Sequence, residues 1–156
     1  MRIRLIQTGK TREQYVKEGV EIFRRRLKRY VPFETETIPD LKNSKNMAMK
    51  EVMEKEGQLL LRRIRQEDHV VLLDERGEEC SSIAFAEQMN SLEGRVKQLV
   101  FVVGGPYGFS EEVYRRADSR LSLSRLTFSH QLVRLIFMEQ LYRAFTILKG
   151  DPYHHA

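Results

Sequence analysis

The stretch QLVFVVGGPYG, Gln98 to Gly108, decides the fold. Leu99 to Val103 are apolar without alternation. That pattern marks a strand covered on both faces, as in a parallel sheet. The strand runs straight into Gly104-Gly105-Pro106-Tyr107-Gly108, where glycine lets the backbone turn tightly and approach a ligand closely. A second stretch of the same kind, HVVLL, spans His69 to Leu73 and ends in Asp74. Two buried strands separated by helical segments predict an α/β fold, a mostly parallel sheet flanked by helices. In such sheets ligands sit beyond the carboxyl ends of the strands. The loops after Leu73 and Val103 are placed for that role.

The remaining elements fall in line outward from this centre. Arg2 to Thr8 alternates as a first strand. Thr11 with Gln14 fits a capping box, and Tyr15, Val16, Val20, Ile22, Phe23 and Leu27 mark a helix to about Tyr30. Val31-Pro32 breaks it. Phe33 to Ile38 alternates as a half-buried strand, and 40–46 is a polar loop. A helix is predicted over 47–64. Ser81 or Ser82 caps another through Met89, and Ser110 caps a short one carrying Glu111 and Glu112 in its first turn. A short strand is expected over 120–123. The last helix runs from about Gln131 to Lys149 and stops at Gly150. Of the 17 residues 132–148, 12 are apolar or Tyr, spread around the whole circumference. A surface helix carries an apolar stripe on one side only. This helix is therefore expected to pack on the core with one face and on a second copy with the other.

The chain has 156 residues, 27 Lys and Arg against 22 Asp and Glu, and 41% hydrophobic residues. That suits one globular domain, here 1–156. The one cysteine, Cys80, excludes an intrachain disulfide and a multi-cysteine metal site. No uninterrupted apolar segment reaches the roughly 20 residues that span a bilayer, and Met1 to Lys10 turns polar too early for a signal peptide. No membrane association, no metal and a cytoplasmic setting are the expectations. Residues 1–78 carry 18 basic and 14 acidic side chains, a net of +4, against +1 for the rest. The run Arg24, Arg25, Arg26, Lys28, Arg29 fits phosphate neutralisation by a nucleic-acid binder, and equally a solvated helix face.

Local chemistry motifs are sparse. The glycine stretch is neither GxGxxG nor a P-loop, and taken alone it fits a structural turn as well as a ligand loop. No GxSxG or HExxH occurs. His69 opens a buried strand. His130, at the start of the last helix, fits packing, capping or function alike. His154 and His155 have no third ligand nearby.

Read together, four segments resemble one family. They are Phe101 to Gly108 (FVVGGPYG), Leu121 to Arg134 (LSLSRLTFSHQLVR), Glu139 to Phe145 (EQLYRAF) and Pro152-Tyr153-His154. The chain is similar along its whole length to the RlmH-type ribosomal RNA large subunit methyltransferases of the SPOUT class. The resemblance implies a homodimer with a C-terminal trefoil knot, against the general rule that chains do not thread their own loops. It implies S-adenosyl-L-methionine as cofactor, and transfer of its methyl group to N3 of a pseudouridine in helix 69 of 23S rRNA in the assembled 70S ribosome. Cofactor contacts carry over to Leu73, Gly104 and Leu123-Ser124-Arg125-Leu126-Thr127-Phe128, with Gly105 closing the loop beside them. His154 is the candidate general base. The alternative is that the charge of Arg143 or Arg134 favours the deprotonated base. Arg143 is also one helical turn from Glu139 and fits a simple ion pair. Arg134 and Tyr153 are candidates for holding RNA. Two positions depart from the family pattern. Ser129 replaces a proline before His130, which predicts a less rigid turn. The tail ends His154-His155-Ala156, where many members place a basic residue after the first His. The competing readings are a SPOUT enzyme acting on another RNA, such as tRNA, and a non-catalytic ribosome-binding relative.

Overall fold

The structure is a computed structural model and describes residues 1–155. Five strands and five α-helices follow one another in the order β1 (Arg2–Thr8), α1 (Gln14–Leu27), β2 (Phe33–Ile38), α2 (Met49–Leu61), β3 (His69–Glu79), α3 (Ser82–Leu92), β4 (Gln98–Val103), α4 (Glu111–Arg116), β5 (Ser119–Ser122) and α5 (Leu132–Lys149), with a short 3-10 turn at Ser44–Asn46 before α2. The strands form one sheet in the order β2-β1-β4-β3-β5. Every pairing is parallel. The sheet is the one that the two apolar stretches predict, and they lie side by side at its centre, Val71 opposite Phe101 and Leu73 opposite Val103.

Strand pleating divides the central residues between two cores. Leu99, Phe101, Val103 and Val71 point to one face, where they meet Leu27 of α1, Phe85 and Met89 of α3, and Phe137, Met138 and Leu141 of α5. Val100, Val102, Val70 and Leu72 point to the other, against Leu60 of α2 and Val113 of α4. Phe101 and Phe137 rings lie 4.6 Å apart at the heart of the first core. The α1 and α5 backbones approach so closely at Gly19 that an added Cβ would stand 2.6 Å from Leu135 Cδ1.

Three local expectations are corrected. Thr11 does not cap α1, which starts at Gln14 with no side-chain cap. Its hydroxyl instead accepts a hydrogen bond from Arg134 at 2.9 Å. α2 is shorter than 47–64. β3 does not stop at Leu73. After a register shift it continues to Glu79 and pairs again with β5, Glu78 opposite Leu121. Gly77 makes this possible, because a Cβ there would lie 2.7–2.8 Å from the backbone of Arg120 and Leu121. Elsewhere the signals hold. Ser81 and Ser110 cap α3 and α4, and Gly150 ends α5 in the left-handed conformation with φ 72°. The core face of α5 carries Arg134, Phe137, Met138, Leu141, Ala144 and Phe145, all buried. Leu132, Leu135, Ile136, Glu139 and Arg143 are only half-buried.

Candidate active site

The irregular middle of β3 and the loops that follow β4 and β5 close around one cavity of about 540 Å³. Small-molecule sites run to about 300–1,000 Å³, so a cofactor of nucleoside size fits.

The first wall is Leu73, Asp74, Glu75 and Arg76. Asp74 is fixed through both carboxylate oxygens. Oδ2 accepts from the Tyr114 hydroxyl at 2.6 Å and Oδ1 from the Arg76 backbone N–H at 3.0 Å. Burial, and then the bond to this carboxylate, push the Tyr114 phenol up to about 12. Tyr114 is therefore a lasting donor to Asp74.

The second wall is Gly104 to Gly108. The Gly108 N–H donates to the Gly105 carbonyl at 3.1 Å and closes a tight turn. Gly108 has φ +82°, a conformation open to glycine. A Cβ on Gly104 would meet the Phe109 ring at 2.9 Å. One on Gly105 would meet Glu56 Oε2 at 2.7 Å. Burial, and then the neighbouring Asp40, raise the Glu56 carboxyl above its ordinary value.

The third wall is the segment after β5, with Leu123, Ser124, Leu126, Thr127 and Phe128 lining the cavity. Its path is held by its own hydroxyls. Ser122 donates to the Ser124 carbonyl at 2.9 Å, and the Ser124 hydroxyl accepts the Leu126 N–H at 2.9 Å. Thr127 donates to Glu75 at 2.7 Å and fastens this wall to the first. Met49 and Met53 of α2 and His130 and Val133 beside α5 complete the lining. Burial, and then the charge of Arg134, lower the His130 pKa, so the neutral imidazole is favoured. Ser129 is tied into this turn. Its hydroxyl accepts the Leu132 N–H at 3.1 Å and its carbonyl the Val133 N–H at 3.0 Å, so it holds the first turn of α5.

Eight of the nine cofactor candidates thus line one cavity: Leu73, Gly104, Gly105, Leu123, Ser124, Leu126, Thr127 and Phe128. Arg125 does not. Its side chain is 89% exposed and pairs with Glu79 at 2.7 Å, drawn outward by the acidic end of β3. Arg134 is a second correction. It has no exposed surface. Its guanidinium donates to the carbonyls of Thr8 and His130 at 2.7 and 3.0 Å and to the Thr11 hydroxyl at 2.9 Å. It binds α5 to the end of β1 and presents nothing to an RNA.

Arg143, Tyr153 and His154 come together, but at the other end of α5. Arg143 pairs with Glu139, lies 4.8 Å over the Tyr153 ring and reaches His154 Nδ1 at 3.2 Å. The Tyr153 hydroxyl donates to Glu139 at 2.9 Å. Burial first, and then this bond, raise the Tyr153 pKa. Arg143 Nε is buried without a hydrogen-bond partner among the described residues. None of the three residues lines the cavity. Ten residues of helix separate Arg143 from Val133, about 15 Å at the usual rise. Ala156, part of the tail departure, lies outside the described residues.

Sequence reasoning missed Asp74 as a site residue, together with Tyr114, Tyr107, Met49 and Met53. Asp74 at a strand's carboxyl end was a usable signal. The methionines were not distinguishable from a helix's core stripe. Among the described residues no helix is long and apolar enough to cross a membrane, and no group of three His, Cys, Asp or Glu is placed to hold a metal ion.

Comparison with known proteins agrees with this geometry. A family model described as "Predicted SPOUT methyltransferase" matches residues 1–154. The chain is 53% identical over 156 residues to a Christiangramia forsetii protein named ribosomal RNA large subunit methyltransferase H, covering 99% of each. It is 52% identical, with the same coverage, to the protein of that name from Parabacteroides distasonis. Among solved structures, a probable methylase family protein from Haemophilus influenzae superposes with a TM-score of 0.55 at 10% identity, covering 99% of this chain and 70% of that one. That likeness concerns the fold. The matches to the family model and to full-length relatives settle the assignment: the chain belongs to the SPOUT methyltransferase family, within the group whose curated members are named ribosomal RNA large subunit methyltransferase H.

Proposed function

We propose that this protein is a cytoplasmic, homodimeric S-adenosyl-L-methionine-dependent methyltransferase of one domain, 1–156, that modifies N3 of a pseudouridine in helix 69 of 23S rRNA on the assembled 70S ribosome. The observation that carries the reading is the single cavity walled by Leu73, Gly104 and residues 123–128, in a chain of this family. The cavity suits the cofactor on the structure's own terms. Gly104 and Gly105 carry no side chain where Phe109 and Glu56 pack against them, so this wall stays thin beside the cavity. Leu73, Leu123, Leu126 and Phe128 offer apolar surface to an adenine. Backbone groups around Gly104 and Thr127 are the candidate hydrogen-bond partners. When bound, S-adenosyl-L-methionine supplies a methyl group on an electrophilic sulfonium carbon. The segment after β5 is read as the threaded part of a trefoil knot.

The chain's own residues have three tasks. They orient the acceptor, exclude water and take the proton from N3. Effective in-line attack needs the reacting atoms about 3–3.5 Å apart, and a general base must come within hydrogen-bond reach. His154 is the proposed base, with Arg143 beside its Nδ1 as the positioning cation and Tyr153 as an RNA contact. These groups sit apart from the cavity of their own chain, so the proposed working site joins the cavity of one copy to the tail of another. Arg143 Nε, buried with no partner among the described residues, and the half-buried side chains of α5 support that reading.

The test is methyl incorporation from labelled cofactor into intact ribosomes, with and without the pseudouridine in the target loop. Incorporation only when it is present supports the proposal. Labelling of tRNA instead points to a different RNA target. Ribosome binding with no transfer and no cofactor affinity points to a non-catalytic relative.

A further inference from the structure

Few large apolar side chains stand in solvent: Tyr15, Ile22, Met49, Ile83, Tyr107 and Leu126. Three of them, Met49, Tyr107 and Leu126, line the same cavity. Leu126 belongs to the proposed cofactor segment. Met49 and Tyr107 have no such explanation, and they are 59% and 51% exposed. Their positions are firm. Tyr107 rides on the tight turn closed between Gly105 and Gly108, behind Pro106, whose ring fixes its own φ. Its hydroxyl has no hydrogen-bond partner among the described residues. Met49 opens α2, and its chain partner on that helix face, Met53, lines the cavity as well. Arg76 lines the same cavity. It is exposed and has no ion-pair partner among the described residues, unlike Arg125 and Arg12, which are paired.

An aromatic face, a polarizable thioether and a guanidinium with no ion-pair partner among the described residues, all lining one cavity, match the parts of a single nucleotide. Unstacked RNA bases are held on aromatic side chains, and phosphates are neutralised by free Arg. An enzyme acting on a base edge must also draw that base out of its stack.

We propose that Tyr107 and Met49, with the free guanidinium of Arg76 beside them, form a nucleotide subsite at the cavity mouth. In it an unstacked base of single-stranded RNA lies against the two apolar side chains and its phosphate rests on Arg76. This rests on the reading of the chain as an RNA methyltransferase. Its role is to hold the acceptor nucleotide or its neighbour in place. Tyr107 is a positioning residue, and it takes no part in proton or methyl transfer.

The test compares the full-length wild type with Tyr107→Ala, Tyr107→Phe and Arg76→Gln in three measurements. For methyl transfer to ribosomes, Tyr107→Ala should raise KM about tenfold, in keeping with the loss of one stacked base. Its kcat should stay within about twofold, and Tyr107→Phe should restore KM. Cofactor affinity by calorimetry and the sedimentation coefficient should not change. Arg76→Gln should weaken RNA binding and flatten its salt dependence. The third measurement uses no methyl transfer: anisotropy of a fluorescent oligouridine should show binding to the wild type and about tenfold weaker binding to Tyr107→Ala. Equal oligouridine binding by wild type and Tyr107→Ala, or none by the wild type, overturns the subsite. So does weakened cofactor binding or dissociation of the oligomer in Tyr107→Ala, which would assign Tyr107 to the cofactor or to a second copy. Failure of the wild type to methylate ribosomes while the oligouridine difference persists overturns the enzymatic reading and leaves the subsite standing.

Discussion

Arg134 on the last helix donates to the backbone carbonyl of Thr8, at the end of the first strand, at 2.7 Å and wholly out of water. A guanidinium in this position is held by three acceptors in a fixed fork, which lysine cannot reproduce. Arg134→Met keeps much of the bulk and removes the charged donor. It should lower the free energy of unfolding by about 2–3 kcal/mol, the scale of a hydrogen bond to a charged group. Urea unfolding checks this: the midpoint should fall with the slope unchanged. A variant as stable as the wild type would return Arg134 to the list of available RNA ligands.

Gly104→Val should abolish cofactor binding without unfolding the chain. The new side chain starts 2.9 Å from the Phe109 ring and pushes the loop into the cavity. Calorimetry with S-adenosyl-L-methionine reads the loss, and far-ultraviolet circular dichroism reads the fold. Unchanged affinity would reject the glycine wall as part of the site.

His154→Ala should cut turnover at least about 100-fold if the imidazole is the general base, with cofactor affinity retained because the walls proposed to hold the cofactor are formed by Leu73, Gly104 and residues 123–128 and not by His154. Single-turnover methyl transfer is the measurement. Near-normal turnover removes the role from His154 and leaves charge stabilisation by Arg143.

Tyr30 and Tyr114 should titrate late. The bond to the Asp151 carboxylate holds the Tyr30 phenol up at about 12. Burial and Asp74 do the same for Tyr114. A folded-state pKa above the ordinary value of 10.0 means stabilisation that is complete below pH 10 and lost as pH rises through about 12. Alkaline ultraviolet titration should therefore show both phenols ionising late, alongside Tyr153, which burial and Glu139 also push up. Tyr30→Phe and Tyr114→Phe should each delete one. A wild type whose exposed and late phenols all ionise together near pH 10 would contradict both bonds.

Sedimentation at micromolar concentration should show a dimer. A monomer would contradict the reading of α5 as an interface helix, and with it the composite site.

What could be read in advance depended on how locally each feature is encoded. β4 and the caps at Ser81, Ser110 and Gly150 were legible because a few neighbouring residues determine them. The continuation of β3 was not. DERGEE carries no apolar alternation, and it becomes strand only because Gly77 lets β5 come against its backbone. Thr11 carried a sound capping signal that a more distant group, Arg134, redirected. The cofactor candidates came from their likeness to a family. Their meeting in one cavity depends on three loops far apart in sequence. Arg125 illustrates the limit: its neighbours turn inward, and an ion pair with Glu79 turns it out.

The contact between Arg134 and Thr8 joins residues 126 positions apart. The carboxyl end of the first strand is not closed until the last helix has docked on it. His130 and Val133, at the start of that helix, complete the cavity lining. A nascent chain therefore has no finished binding site to occupy, and cofactor cannot assist its early folding. Completion of the cavity is therefore a long-range closure, which is slow by nature.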